Sequence, residues 1–196
     1  MNYFEVFELP RKLGIDVAAL QARFYDLSRQ HHPDFHQAAP PEEQARALEA
    51  SALVNAAYRA LRDPIARIEY LVRLEEGRDT KEDTVVKPKA PPELLEEMFE
   101  IQEALQEAKM SGLTAEVRER LEAERNRLAA RRDEEEQRLQ GALSRRWDES
   151  PAEERPRIVS TFKESLAIRA YLRTVVDDLT NALEPSQDGH VAHHRH

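Results

Sequence analysis

Residues 16–34 read DVAALQARFYDLSRQHHPD. Asp16 has the short carboxylate that accepts from free N–H groups at a helix start. Val17, Leu20, Phe24 and Leu27 follow in steps of three or four, the spacing of a helix with one buried face. Arg23, Asp26, Arg29 and Gln30 mostly fall on its wet side. The helix has to stop near His31, because Pro33 pushes the residue before it out of the α region. Before it, Asn2 to Leu9 is apolar on one side through Tyr3, Phe4, Val6 and Phe7, and is too short to be stable unless it docks. After it, Pro40 and Pro41 open a helix with Glu42 and Glu43 in the first turn, where the macrodipole favours acids. Its stripe is Ala50, Leu53, Val54, Ala57 and Leu61. Pro64 then restarts a short helix through Ile65, Ile68, Leu71 and Val72.

At residues 75–92, EEGRDTKEDTVVKPKAPP, charge and proline replace the apolar stripe, as in a connector between domains. Residues 93–150 contain no proline and suit two long helices broken at Ser111-Gly112. The first has the seam Leu94, Met98, Ile101, Leu105 and Ala108. The second has Val117, Leu121 and Leu128, fades through Arg131 to Glu136, and resumes at Leu139, Leu143 and Trp147. A third start is signalled by Ser150-Pro151-Ala152-Glu153, an N-cap Ser followed by an N1 Pro, with Pro156 placed to kink the first turn. Its stripe runs through Ile158, Phe162, Leu166, Tyr171 or Leu172, Val176, Leu179 and Leu183. Three such stripes joined by short turns predict an antiparallel bundle. The expected fold class is all-α, with an N-terminal helical domain at 1–75, a connector at 76–92, a three-helix bundle at 93–184 and a disordered tail at 185–196.

Composition removes several functions. The 196 residues carry a net charge of −9 with a pI near 5.4, which argues against broad electrostatic binding to nucleic acid. With no cysteine, a disulfide framework, a thiolate zinc site, a cysteine-ligated iron-sulfur cluster and a cysteine nucleophile are all excluded. No apolar run approaches the roughly 18 residues of a membrane span, and the N-terminus has no targeting pattern; an unprocessed, cytoplasmic protein is expected. Di-iron bundles use Glu-x-x-His pairs, and no Glu lies three residues before a His here. His31, His32, Asp34 and His36 bunch around a proline, which reads better as a polar loop than as a metal site. There is no Gly-rich phosphate loop and no G-x-S-x-G elbow. We therefore expect no metal, no cofactor and no enzymatic activity of its own.

The sharpest local feature is His31-His32-Pro33-Asp34, in a connection that must be polar and exposed. Alone it reads equally well as a helix terminator, with His suiting the helix C-terminus, Pro stopping the helix and Asp opening a turn. Its surroundings add a second reading. A short apolar helix at Asn2-Tyr3-Phe4, a helix carrying Arg23 and Arg29, then His32-Pro33-Asp34, then VNAAYRALRDP at 54–64 resemble, in that order, the J-domain of DnaJ-type co-chaperones. The run Arg67-Ile68-Glu69-Tyr70-Leu71 and the acidic bundle behind it are similar to the HscB family of iron-sulfur cluster co-chaperones. The resemblance implies that His32, Pro33 and Asp34 engage a DnaK/HscA-class ATPase chaperone and stimulate its ATP hydrolysis. Arg23 and Arg29 would meet an acidic surface on it, although both also read as ordinary solvated residues. One departure is that Phe35 follows Asp34 directly, where many family members have Lys or Arg before the Phe.

A second candidate surface follows from helix geometry. At 100° per residue the seam Leu94 to Ala108 is about 80° wide, and Glu96, Glu100, Glu103 and Glu107 cluster within about 60° on the opposite side. Leu95 and Phe99 lie between. They either widen the core stripe or, beside four carboxylates, anchor a basic partner. The HscB resemblance implies that this helix binds an IscU-like iron-sulfur scaffold protein, through Leu95, Phe99, Glu100, Glu103 and Glu107. A general J-domain co-chaperone serving another client is the alternative. The Gly/Phe-rich linker, zinc modules and β-rich client domains of such generalists are missing from this sequence. The broken apolar repeat at 131–136 disfavours an oligomerising coiled coil, so a monomer is expected.

Overall fold

The computed structural model describes residues 1–78 and 92–184, and every regular element among them is helical. The chain forms two compact units, Met1–Val85 with Glu136–Leu166, and Val86–Glu135 with Ala167–His196. Most of the expected connector, and all of the expected tail, lie outside the described residues.

In the first unit α1 (Tyr3–Val6) is a single turn closed by a reciprocal cap. The Asn2 side chain accepts from the Glu5 N–H at 3.1 Å, and the Glu5 carboxylate accepts from the Asn2 N–H at 3.0 Å. One turn cannot hold itself, and α1 is held by docking: Phe4 and Phe7 are buried, Tyr3 stacks on Tyr70 at 4.4 Å, and the Tyr3 N–H donates to the Tyr70 hydroxyl at 2.8 Å. Burial raises the Tyr70 pKa, so the hydroxyl stays protonated. Glu8 then turns the chain at φ 57°, the one non-glycine positive φ among the described residues, a conformation that costs a side-chain-bearing residue roughly 1–2 kcal/mol.

Helix α2 (Val17–Gln30) starts where Asp16 accepts from the Ala18 and Ala19 N–H groups. It packs on α3 (Pro41–Arg62) with Phe24 stacked against Tyr58 at 4.0 Å. Asp63 closes α3 and caps α4 (Pro64–Glu75) by accepting from Ala66 N–H at 2.8 Å. The joint between α3 and α4 holds a buried charge, Arg67. Its guanidinium donates to the carbonyls of Leu61 at 2.7 Å, Leu13 at 2.5 Å and Arg62 at 3.4 Å. Leu61 and Arg62 supply helix-end carbonyls that have no intrahelical partner. Burial lowers the Arg67 pKa, with Asp63 and Asp148 opposing that shift.

The rest of this unit comes from much later in the chain. Helix α6 (Ala115–Arg138) runs into a π-helical turn (Leu139–Leu143) and then α7 (Ser144–Glu149). Leu139, Leu143, Trp147, Ile158 and Phe162 share one core with Phe4, Leu20, Leu61 and Leu71. The Trp147 indole donates to the Arg11 carbonyl at 3.1 Å, and the Asp148 carboxylate accepts from the Leu13 and Gly14 N–H groups at 2.7 and 2.8 Å. A Cβ at residue 14 would come within 3.0 Å of Asp148 Oδ2, so glycine suits that approach. Residues 136–166, assigned from sequence to the bundle, thus pack with residues 1–78. The third long helix also starts later than expected. Ser150 closes α7, a 3-10 turn spans Ala152–Glu154, and α8 (Arg155–Leu183) begins at Arg155. Pro156 sits in its first turn, where the missing N–H has no intrahelical acceptor to lose.

One ion pair in this unit carries a pH signature. Glu76 accepts from Lys163 at 2.6 Å and also meets Arg78, and these cations, Lys163 foremost, hold its carboxyl below the ordinary 4.5. A depressed carboxyl pKa stabilises the fold above its unfolded value, and the contribution fades as pH falls through the folded value. Thermal melts of Lys163→Met and the parent chain are expected to differ at pH 7 and to converge as the pH is taken down through and below the depressed Glu76 value.

In the second unit α5 (Leu95–Ser111), α6 and α8 share the core Leu94, Ile101, Ala104, Leu121, Leu128, Leu172, Val176 and Leu179. Gly112 turns the chain at φ 77° between α5 and α6, a left-handed conformation that glycine adopts without steric cost. Glu97 meets Arg127 and Arg131 while Glu107 meets Arg120, so α5 and α6 are antiparallel. Arg118 donates to the Leu183 carbonyl at 3.2 Å, placing the start of α6 beside the end of α8.

Candidate functional site

The first candidate site is the loop between α2 and α3. His31 ends α2 by donating its N–H back to the Leu27 carbonyl. His32 is extended (φ −66°, ψ 129°), and Pro33 starts a 3-10 turn, Pro33–His36. The His32 Nδ1 accepts from the Asp34 N–H at 3.3 Å, which places the proton of the neutral ring on Nε2 as a free donor. The Asp34 carboxylate lies 3.6 Å from the same Nδ1 and accepts from the Gln37 amide at 3.3 Å. Both side chains are more than half exposed, at 53% and 70%. The loop thus offers solvent one imidazole donor and one carboxylate acceptor, held by their own backbone. Phe35 is exposed as well, its ring edge-on to His32 at 6.2 Å.

Two further side chains hold this loop: His36, read from the sequence only as part of a polar loop, and Gln44, which the sequence did not single out. The His36 Nε2 lies 3.1 Å from the Gln30 carbonyl and its Nδ1 3.7 Å from Glu43 on α3, tying the end of α2 across the turn. Gln44 donates to the carbonyls of Gln37 and Ala39 at 3.1 and 2.8 Å. His36 and Gln44 follow Asp34 by two and ten residues, and nothing in that spacing separates a clamp from a solvated polar residue.

Arg23 and Arg29 both lie on α2. Six residues apart, they sit about 120° from each other around α2 and about 9 Å apart along it, with Asp26 between them. Arg23 is already engaged, its Nη2 2.8 Å from the Glu8 carboxylate. Arg29 is exposed, and no ionic partner for it is found among the described residues.

The second candidate site is the outer face of α5. Phe99 is 65% exposed and Leu95 40%, so neither widens the core. Glu96, Glu100, Glu103 and Glu107 are all exposed. Glu107 lies 3.9 Å from Arg120, whereas Glu100 and Glu103 meet no cation among the described residues. Glu97 behaves differently. Its side chain is only 14% exposed and it is gripped by Arg127 and by Arg131 at 3.1 Å. Arg127, held also by Glu124, has its pKa raised by these carboxylates. Glu97 fixes α5 on α6 and leaves the other acids facing water. The sequence signal for this was its offset from the row of four acids, one residue past Glu96.

No family model matches the sequence. Solved structures do match the fold. Chaperone HscB from Vibrio cholerae superposes with a TM-score of 0.61 at 26% identity, covering 94% of this chain and 100% of that one. This chain is HscB-like. Human co-chaperone protein HscB superposes with a TM-score of 0.61 at 25% identity, covering 92% of this chain and 81% of that one. The likeness therefore takes in both units, and the all-α architecture agrees with the sequence expectation. No helix among the described residues is long and apolar enough to cross a membrane.

Proposed function

We propose that this protein is a J-domain co-chaperone of iron-sulfur cluster assembly. It stimulates ATP hydrolysis by a DnaK/HscA-class chaperone and brings to it an IscU-like scaffold protein. The observation that carries this reading is the loop at His32-Pro33-Asp34, exposed and pre-bent at the turn of a helical hairpin in an HscB-like fold. Pre-organisation matters because a loop already in its bound shape loses little freedom on docking. His32 supplies an Nε2 donor, Asp34 an acceptor, and Pro33 fixes the angle between them. Arg29 on α2 steers the encounter with an acidic partner, joined by Arg23 once that residue is released. The reaction itself takes place on the chaperone, so this chain needs no catalytic residue.

In this reading residues 1–75 are the chaperone-facing J-domain, and α5 within 93–184 is the scaffold-facing element, through Leu95, Phe99, Glu100, Glu103 and Glu107. The cluster is cargo of the scaffold and is not held by this chain. The test is steady-state ATP hydrolysis by a DnaK-class chaperone with this protein, with and without the scaffold. Stimulation is expected to rise synergistically with scaffold and to fall to the unstimulated rate in His32→Gln. Stimulation that needs His32 but ignores the scaffold would mean a different client. Absence of stimulation would return the tripeptide to a helix terminator.

A further inference from the structure

Glu8 is an unusual place to find a glutamate. It is the one non-glycine residue with positive φ among the described residues, in a conformation where glycine is the default. Its carboxylate reaches back 2.8 Å to the guanidinium of Arg23, fifteen residues on. Both partners are exposed, the Glu8 side chain by 76% and that of Arg23 by 44%. An ion pair so exposed contributes no more to stability than the backbone conformation costs. Folding stability therefore does not account for a glutamate at this position. Its effect is on charge: of the two α2 cations proposed to meet the chaperone, Arg23 and Arg29, the first is paired within the chain, and Asp26 lies between them.

We propose that Glu8 is a built-in competitor for Arg23, occupying the guanidinium that an acidic partner surface must take, and so sets how tightly that partner binds. The inference rests on the J-domain reading above. Arg23 presents donors on two edges, and Glu8 takes only one of them, through Nη2. An incoming carboxylate can therefore begin to bind before Glu8 leaves. The exchange is of one carboxylate for another on the same guanidinium, and its cost is the lost intramolecular pair.

The test is the concentration of this protein that gives half-maximal stimulation of a DnaK-class ATPase. Glu8→Gln keeps the backbone conformation and removes the charge. It is expected to lower that concentration about two- to five-fold at ~50 mM salt, with the maximal rate unchanged, and to lose the gain near 0.5 M salt, where such charges are screened. Glu8→Gly is expected to show the same gain together with a higher melting temperature, since it also relieves the backbone. In an Arg23→Ala background Glu8→Gln should have no effect. An unchanged half-maximal concentration in Glu8→Gln would overturn the inference while His32-dependent stimulation left the J-domain reading standing. A gain that persists without Arg23 would overturn it too, by showing that the charge acts elsewhere. A parent chain that stimulates no chaperone would overturn the reading and the inference together.

Discussion

Trp147→Ala is expected to lower the stability of the unit containing residues 1–78 by about 3–5 kcal/mol, the usual cost of emptying an aromatic site in a core. The indole is 1% exposed, packs near Phe162 with ring centroids 6.5 Å apart, and lies under the Arg155 guanidinium at 5.0 Å. Alanine removes all of that and also leaves the Arg11 carbonyl without its donor. Trp147→Phe keeps most of the volume and loses chiefly the hydrogen bond, so about 1–2 kcal/mol is expected. Urea titrations followed by circular dichroism distinguish the two. In the parent chain the same transition can be followed by fluorescence, because Trp147 is the sole tryptophan. A midpoint within a few tenths of a molar of the parent in Trp147→Ala would mean that residues 136–166 are an appendage to this unit and not part of its core.

That prediction turns on a contact the sequence did not reveal. Helical periodicity says that Leu139, Leu143 and Trp147 are buried, but not against what. The stripe pattern is a property of one helix, and the identity of its neighbour is a long-range fact. The same limit hid Asp148, which reads in sequence as one more acid in a charged run, yet anchors two backbone N–H groups 134 and 135 positions away. It hid Arg67 as well, since a buried arginine is legible only once the carbonyls it serves have been placed. What could be read was local. Asp16 accepts from the N–H groups expected of an N-cap, α2 stops at Gln30 ahead of Pro33, and Pro41 and Pro64 each open a helix. The Ser150-Pro151 start failed for a local reason too. Ser150 was already closing the preceding helix by donating to the Arg146 carbonyl. At the candidate sites, the exposure of the His-Pro-Asp loop and of the α5 acids followed from position along the chain and around the helix. The pairing of Arg23 with Glu8 did not, because it joins two turns through a backbone conformation that no propensity favours for glutamate.

Phe99→Ala is expected to weaken scaffold binding by about 2 kcal/mol or more, roughly 30-fold in affinity, as for an aromatic at the centre of a protein interface. Its own fold should hardly notice. Phe99 is 65% exposed, and a surface substitution in a helix away from caps and cores usually shifts stability by no more than about 0.5 kcal/mol. The acids around it should divide by their present partners. Glu100 and Glu103 meet no cation among the described residues, so Glu100→Gln or Glu103→Gln removes an unspent charge, slowing association with a basic surface and flattening its salt dependence. Glu107 already lies 3.9 Å from Arg120, so Glu107→Gln should matter less than either. Calorimetric titration of the scaffold against each variant, at two salt concentrations, measures the ranking. The ATPase measured without scaffold should be unchanged in all four, because none touches the loop at His32-Pro33-Asp34. Phe99→Ala binding with parental affinity would remove α5 from the interface. A Glu107→Gln effect larger than those of Glu100→Gln and Glu103→Gln would mean that the partner reaches this helix from the end nearer Gly112, displacing Arg120 as it docks.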